Sequence, residues 1–471
     1  MLKFGVQPMA SIRSDAVVFF GATGDLAYKQ IFPALQALVR NEGWELPIIG
    51  VAKAGWTLDQ FKARAIDSLE KHGGRDSGTV EKLLGLLRYV DGDYNDPDTF
   101  AVLRRELGAA QQPLHYLAIP PALFTIVAEN LTRSGCAANS RLLVEKPFGR
   151  DLASAKGLSS TLHQFFPEDS IYRIDHYMGK EPVRNILYTR FANPMFEPIW
   201  NRDHIRSIQI TMAEEFGVED RGSFYDEVGA LRDVVQNHML QVVAHLTMDP
   251  PTDEDHDAVR HRQRDLMMAI PPLTLASIVR GQYQGYPSVP GVAPGSRIET
   301  FVALTLSIDC WRWAGVPIYI RAGKKMPVTC TEAVVEFKRP PRETFGELVP
   351  SSSAHMRIRL GPDVMIGLGL RVKIPGERMA GRDVELEMHR QAAENTHPYE
   401  RLLDDASRGI KELFARQDVV EEQWRIVEPV LGNVTPLYTY KPGTWGPEEA
   451  GQLIAKDGIW ENPVLTNSAD G

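Results

Sequence analysis

The stretch Ala16-Val17-Val18-Phe19-Phe20-Gly21-Ala22-Thr23-Gly24-Asp25-Leu26-Ala27 decides the fold of the first third of the chain. Its five leading apolar residues read as a buried strand, and the small-residue turn after them opens a helical pattern over residues 26–40. At such a strand-to-helix turn, free backbone amides and the positive end of the helix dipole can hold a pyrophosphate. The spacing is G-x-x-G-x-x-A, a variant of the commoner G-x-G-x-x-G. Gly21 would permit the tight turn, Gly24 the close approach of a phosphate, and Ala27 close packing of helix on strand. A strand-to-helix turn that needs small residues only for packing gives the same pattern, so both readings stand at this point.

Outward from this turn, apolar runs recur at residues 47–52, 88–90, 114–119 and 141–144, with helical patterns at 58–71 and 121–133. That alternation predicts a Rossmann-like, doubly wound parallel sheet with crossover helices. Lys53 ends the second run, where a cation accommodates the extra phosphate of NADP and an acid would bond the ribose of NAD. The expectation is NADP, with NAD as a poorer substitute; a solvated surface lysine is the plain alternative. Lys146, in Glu145-Lys146-Pro147-Phe148-Gly149, falls at the carboxyl edge of the sheet, where ligands of such folds bind.

Beyond about residue 175 the period changes to two. Ile208, Ile210 and Met212 alternate with polar residues, as do Val302, Leu304, Leu306 and Ile308, and later Val364, Ile366, Leu368, Leu370 and Val372. The expected second domain is α+β, built on a large, mainly antiparallel sheet, with helical patterns near 232–248, 399–416 and 419–427. Residues 253–257 and 281–295 read as surface loops. The division expected is a nucleotide-binding domain over 1–172 and a second domain over 173–471.

Length and composition agree with a metabolic enzyme. The chain has 471 residues, 43% of them hydrophobic and 24% charged, with a formal net charge of −9 that disfavours nucleic acid as a partner. Three widely spaced cysteines, Cys136, Cys310 and Cys330, offer no disulfide framework and no metal-ligand spacing, which points to a reducing cytoplasm and no metal. No apolar stretch reaches the roughly 20 residues of a membrane span.

Two further stretches crowd chemistry into a few positions. In Arg173-Ile174-Asp175-His176-Tyr177-Met178-Gly179-Lys180-Glu181, a helix would put His176 and Lys180 on one face, suited to a phosphate dianion or to a salt-bridge cluster. In Arg232-Asp233-Val234-Val235-Gln236-Asn237-His238-Met239-Leu240-Gln241, an imidazole sits within an apolar helical pattern, either as a satisfied core residue or as a tuned base. Asp233 and His238 are five apart, roughly 140° around an α-helix, which argues against a direct pair.

Taken in order, GATGDLA, EKPFG, RIDHYMGKE, DVVQNHMLQ and ETFVALTLSIDCWRWAGVPIYIRAGKK resemble the glucose-6-phosphate dehydrogenase family over roughly residues 15–330. The resemblance implies oxidation of D-glucose 6-phosphate at C1 to the lactone with hydride transfer to NADP, the first step of the oxidative pentose phosphate pathway. It implies His238 as general base and Asp175 as the carboxylate that orients it. His176 and Lys180 would hold the sugar phosphate, Glu214, Asp233 and Lys324 the rest of the substrate, and Lys146 would stand where cofactor and substrate meet. Gly21, Gly24, Asp25 and Leu26 would form the pyrophosphate loop, Lys53 would replace the usual arginine, and Asp93, Tyr94 and Tyr116 would line the cofactor crevice. A homodimer or tetramer is implied as well. One position departs from the pattern: five residues after Lys324, where the family commonly has a second cation, stands Thr329. The alternatives are a dehydrogenase of another aldose or sugar phosphate, and a weakly catalytic NADP-binding paralogue.

Overall fold

The computed structural model describes residues 13–73, 76–175, 177–253, 256–342, 354–389 and 398–465. It divides into two compact units: one drawn from Met1–Lys180, Thr252–Arg260 and Glu394–Glu421, the other from Glu181–Pro251, His261–Ala393 and Glu422–Gly471. The single cut expected at residue 172 therefore becomes a discontinuous division.

The first unit is built on strands β1 (Ala16–Phe20), β2 (Ile48–Ala52), β3 (Leu87–Asp91), β4 (Pro113–Leu117), β5 (Arg141–Val144) and β6 (Ile171–Ile174), all parallel, in the spatial order β6-β5-β4-β1-β2-β3. This is the doubly wound order, and its reversal between β1 and β4 makes the carboxyl ends of those two strands the natural crevice for a ligand. Both faces of the sheet are covered, so its strands are apolar on both sides: Val17 and Phe19 enter one core cluster, Ala16, Val18 and Phe20 another. Helices at Phe32–Asn41, Leu58–Ser68, Pro97–Leu107, Phe124–Arg133 and Leu152–Leu162 follow strands as connections.

Two expectations fail in this unit for physical reasons. The described residues of 173–180 are not helical: Arg173 and Ile174 end β6, the chain turns through Tyr177, Met178 and Gly179, and a helix starts only at Glu181. The helical pattern expected over 399–416 stops at Arg408, because Phe414–Ala415 forms a short strand that pairs antiparallel with β6 and extends the sheet.

The second unit holds β7 (Ile205–Ala213), β8 (Ile278–Tyr283), β9 (Phe301–Leu306), β10 (Ile318–Gly323), β11 (Cys330–Phe337), β12 (His355–Gly361), β13 (Met365–Lys373), β14 (Gly381–His389) and, numbering the two-residue strand Phe414–Ala415 as β15, β16 (Leu437–Tyr440). The sheet order is β14-β13-β12-β11-β7-β10-β9-β8-β16. Most pairs are antiparallel, but β10 runs parallel to β7 and β16 parallel to β8. Of the expected loops, 281–295 begins inside β8, and Asp257 lies in a helix, His256–Ala269.

Candidate active site

In the first unit most of the described candidate positions follow the carboxyl end of a parallel strand. Gly21 comes directly after β1, Lys53 after β2, Asp93 and Tyr94 just past β3, Lys146 past β5, and Asp175 directly after β6. The loop after β1 is shaped by sterics. Gly21 has φ +81°, and a Cβ there would come within 2.2 Å of the Ala118 carbonyl oxygen, at the end of β4. Its N–H donates to the Tyr94 hydroxyl at 2.8 Å and to the Val51 carbonyl at 3.0 Å, while the same hydroxyl donates to Val51 at 3.0 Å. Tyr94 therefore braces the loop from behind. The helix begins at Asp25, and its first-turn amides, including that of Leu26, lack carbonyl partners within the helix. A glycine cradle at the switch point with free amides at its rim fits a dinucleotide pyrophosphate.

Lys53 is exposed, and its ammonium lies 2.7 Å from Asp93 Oδ2. That bond and the amide of Asn95 hold the Asp93 carboxyl well below its ordinary range. Asp91 accepts the amides of Ala54 and Gly55 at 3.0 and 2.8 Å, so the turn carrying Lys53 is pinned to β3. Tyr116 is placed differently from expectation. It is fully buried in the core, and its hydroxyl donates to Glu145 Oε1 at 2.5 Å, so it does not open on the crevice. It supports the strand end that presents Lys146, whose bond to Pro147 is cis.

Asp175 is buried and accepts the Tyr177 amide at 2.9 Å through Oδ1. The turn that follows places the Lys180 ammonium 4.1 Å from the centroid of the Tyr177 ring. His176 lies outside the described residues.

In the second unit the parallel pair β7 and β10 does the positioning. Because these neighbours run the same way, with Ala213 opposite Gly323, the next residue of each, Glu214 and Lys324, emerges at the same end of the sheet. Lys324 Nζ donates to Glu214 Oε2 at 2.5 Å, and the buried ammonium faces the rings of Phe216 and Tyr225 at 5.1 and 5.2 Å. Burial, then the negative charges of Asp233 and Glu299, holds the Tyr225 hydroxyl protonated well above its ordinary range.

Asp233 and His238 lie on Leu231–Met239, which is a π-helical segment; at its end the Leu240 amide reaches back to the Val235 carbonyl. The 140° offset expected for an α-helix therefore does not hold. With bonds closing from i to i+5, residues five apart come round to nearly one face, so Asp233 and His238 share a side of the segment. His238 is 3% exposed.

Thr329 has a structural bond: its hydroxyl accepts the Glu215 amide at 3.0 Å, next to Glu214. Lys325 turns away from Lys324, with φ +52° and its ammonium 3.4 Å from Glu219. Phe216, Tyr225 and Tyr440, whose hydroxyl donates to the Lys324 carbonyl at 2.6 Å, belong to this cluster without having been marked in the sequence. They come from separate apolar patterns that carry no motif.

Comparison with known proteins covers both units. Residues 18–185 match the description "Glucose-6-phosphate dehydrogenase, NAD binding domain" and residues 187–461 "Glucose-6-phosphate dehydrogenase, C-terminal domain". The chain is 43% identical to glucose-6-phosphate 1-dehydrogenase 1 of Mycobacterium tuberculosis over 97% of this chain and 98% of that protein. It is 38% identical to the glucose-6-phosphate 1-dehydrogenase of Aggregatibacter actinomycetemcomitans over 95% and 97%. Among solved structures, glucose-6-phosphate 1-dehydrogenase from Mycobacterium avium matches with TM-score 0.91 and 44% identity, covering 97% of this chain and all of that one. A glucose-6-phosphate dehydrogenase in complex with its substrate glucose-6-phosphate matches with TM-score 0.89 and 32% identity over 96% and 99%. With both units matched in order and over nearly their whole length, the chain belongs to the glucose-6-phosphate dehydrogenase family.

Proposed function

We infer that this chain oxidises D-glucose 6-phosphate at C1 to 6-phospho-D-glucono-1,5-lactone. The observation that carries the reading is the near-full-length match to a glucose-6-phosphate dehydrogenase solved with that substrate, on a chain that carries His238, Asp175, Lys180 and Lys324 at the positions the motifs imply. A bound pyridine nucleotide supplies the hydride acceptor. His238 takes the proton of the C1 hydroxyl, and Asp175 is the carboxylate assigned to orient it. Lys180 and His176 hold the sugar phosphate by charge-assisted bonds. Glu214, Asp233 and Lys324 bond the sugar hydroxyls, Glu214 and Lys324 as a preformed acceptor and donor. Gly21, Gly24, Asp25 and Leu26 seat the pyrophosphate, and Lys146 bridges the two ligands. The test is formation of reduced nicotinamide with glucose 6-phosphate, glucose and galactose 6-phosphate. Turnover at least as fast with either of the other sugars overturns the substrate assignment, and no turnover with any of them favours the binding paralogue.

NADP is the finer reading, with Lys53 as its cation. In the free protein this ammonium is already paired with Asp93, so a 2′-phosphate competes with a carboxylate for it. Asp93→Asn is expected to raise the NADP-over-NAD ratio of kcat/KM. Lys53→Ala is expected to lower it by roughly ten- to hundredfold, the loss of one charge-assisted bond. An unchanged ratio in Lys53→Ala removes this residue from cofactor choice.

A homodimer formed through the second unit is supported by β13 and β14. Ile366, Leu368 and Leu370 stand opposite Met388, Leu386 and Val384, giving this two-stranded ribbon one apolar face. Leu386 and Met388 are 59% and 60% exposed in the single chain. Apolar rows of this kind mark association surfaces, and a self-complementary sheet face suits a two-fold dimer. Leu386→Glu with Met388→Glu is expected to convert the dimer to single chains by light scattering at micromolar concentration. A dimer that survives both changes must use another face. Among the described residues no helix is long and apolar enough to cross a membrane, and Cys136, Cys310 and Cys330 are all free thiols, in keeping with a cytoplasmic enzyme.

A further inference from the structure

The helix that carries Asp233 and His238 does not start on its own residues. The preceding segment, Gly222–Ala230, breaks at Gly229, whose φ of +67° and ψ of 173° are far from helical, and the chain restarts as the wide segment Leu231–Met239. At that restart Glu299 supplies two acceptors: its carbonyl takes the Ala230 amide at 3.0 Å, and its Oε1 takes the Leu231 amide at 3.2 Å. A Cβ on Gly229 would come within 2.5 Å of Glu299 Oε1, so the glycine makes room for the carboxylate. Glu299 is 2% exposed and is held from the far side by Arg280, which is wholly buried and donates to Oε2 through Nε at 3.2 Å and Nη2 at 3.0 Å. Arg280 is fixed in turn by the carbonyls of Arg297 and Thr435 and by Asn433 Oδ1, at 2.7, 3.3 and 3.3 Å. The next residue, Thr300, accepts the Lys324 amide at 3.0 Å.

We propose that Glu299, clamped by Arg280, is a positioning residue for the reaction: it caps the π-helical segment from outside and sets the axial place of His238, while its neighbour Thr300 fixes Lys324. The proposal rests on the reading of His238 as the base. Its physical ground is the number of orphan amides at a helix start, which grows when bonds close from i to i+5 instead of i+4, and the favourable meeting of a carboxylate with the positive end of a helix. A cap from the segment's own chain is absent, since the preceding residue has no side-chain bond to its amides. The strand-borne carboxylate takes that place, and it links the segment to the sheet.

The test separates the cap from the buried ion pair. Single removal of either partner strands a buried charge and endangers folding, so the two variants compared both lack the charges: Arg280→Met with Glu299→Gln, which keeps an acceptor for the Leu231 amide, and Arg280→Met with Glu299→Ala, which does not. The alanine variant is expected to show kcat lower than the glutamine variant by on the order of ten- to hundredfold, the scale of a small displacement of a reacting group, with a smaller change in KM. Its Leu231 amide is expected to exchange hydrogen faster in the folded protein. A merely structural role moves thermal stability alone. Equal kcat in the two variants, or equal exchange at Leu231, overturns the proposal when His238→Ala has lost activity. A His238→Ala protein that keeps its kcat overturns the base assignment itself, and with it any positioning role.

Discussion

His238→Ala is expected to lower kcat by a factor on the order of 10² to 10⁴, the usual worth of a general base, while KM for glucose 6-phosphate changes much less. The asymmetry follows from the role proposed for the imidazole: a base that meets the C1 proton as that proton leaves is missed in the transition state more than in the bound ground state. Because the residue is buried in the π-helical segment beside Val235 and Met239, both also buried, truncation leaves a cavity and some lost stability. His238→Gln, which keeps most of the volume, is expected to restore the stability and not the rate. Added imidazole entering the cavity of the alanine variant is expected to recover part of kcat. Steady-state kinetics with thermal melts of both variants checks this, and a kcat near that of the parent in either one would falsify the assignment.

The first unit was largely legible. Ala16–Phe20 and Arg141–Val144 are strands at the residues read from hydrophobic runs, and the expected helix over 121–133 is present as Pro121–Leu123 and Phe124–Arg133. Buried parallel strands leave a strong signal because they are apolar on both faces. The reading missed β6, which pairs with β5, and the edge strand Phe414–Ala415, which pairs with β6; both are too short to show a period. With β6 unseen, a helix stayed open for His176 and Lys180; Asp175 follows the strand end directly and Lys180 closes the turn before the helix at Glu181.

The second unit was legible in strand period and illegible in geometry. Lys324 falls in a motif and Glu214 was implied by the resemblance, but their 2.5 Å bond follows from β10 lying parallel to β7, a pairing between segments more than a hundred residues apart. The relation of Asp233 to His238 was misjudged because an α-helical period was assumed; nothing in Leu231-Arg232-Asp233-Val234-Val235 announces a π-helical turn. Its first amides are met from another segment, by Glu299. Lys53 shows the same limit at the surface, since an exposed cation after β2 could be read from sequence and its partner Asp93, after β3, could not be paired to it.

Gly21→Val is expected to abolish measurable nucleotide binding and to destabilise the first unit. The left-handed φ of +81° costs any side chain, and for a β-branched one the strain is of the order of 1–3 kcal/mol before any contact is counted. Contact is the larger effect. The new Cβ would stand 2.2 Å from the carbonyl oxygen of Ala118 and 3.1 Å from a methyl carbon of Ile119, so the β1 loop must leave the end of β4. Moving it breaks the amide bonds from Gly21 to Tyr94 and Val51 that hold the loop over the crevice. The cradle and the free amides of the first helical turn are lost together, since Gly24 itself bonds back to the Gly21 carbonyl at 2.9 Å. Gly24→Ala is a milder control: its Cβ would lie 3.2 Å from that carbonyl, a contact that a shift of a few tenths of an ångström relieves, so nucleotide binding should weaken and not vanish. Isothermal titration with NADP and thermal melts of both variants measure the two effects separately. A Gly21→Val protein that binds nucleotide like the parent would show that the pyrophosphate is held elsewhere than at the turn after β1.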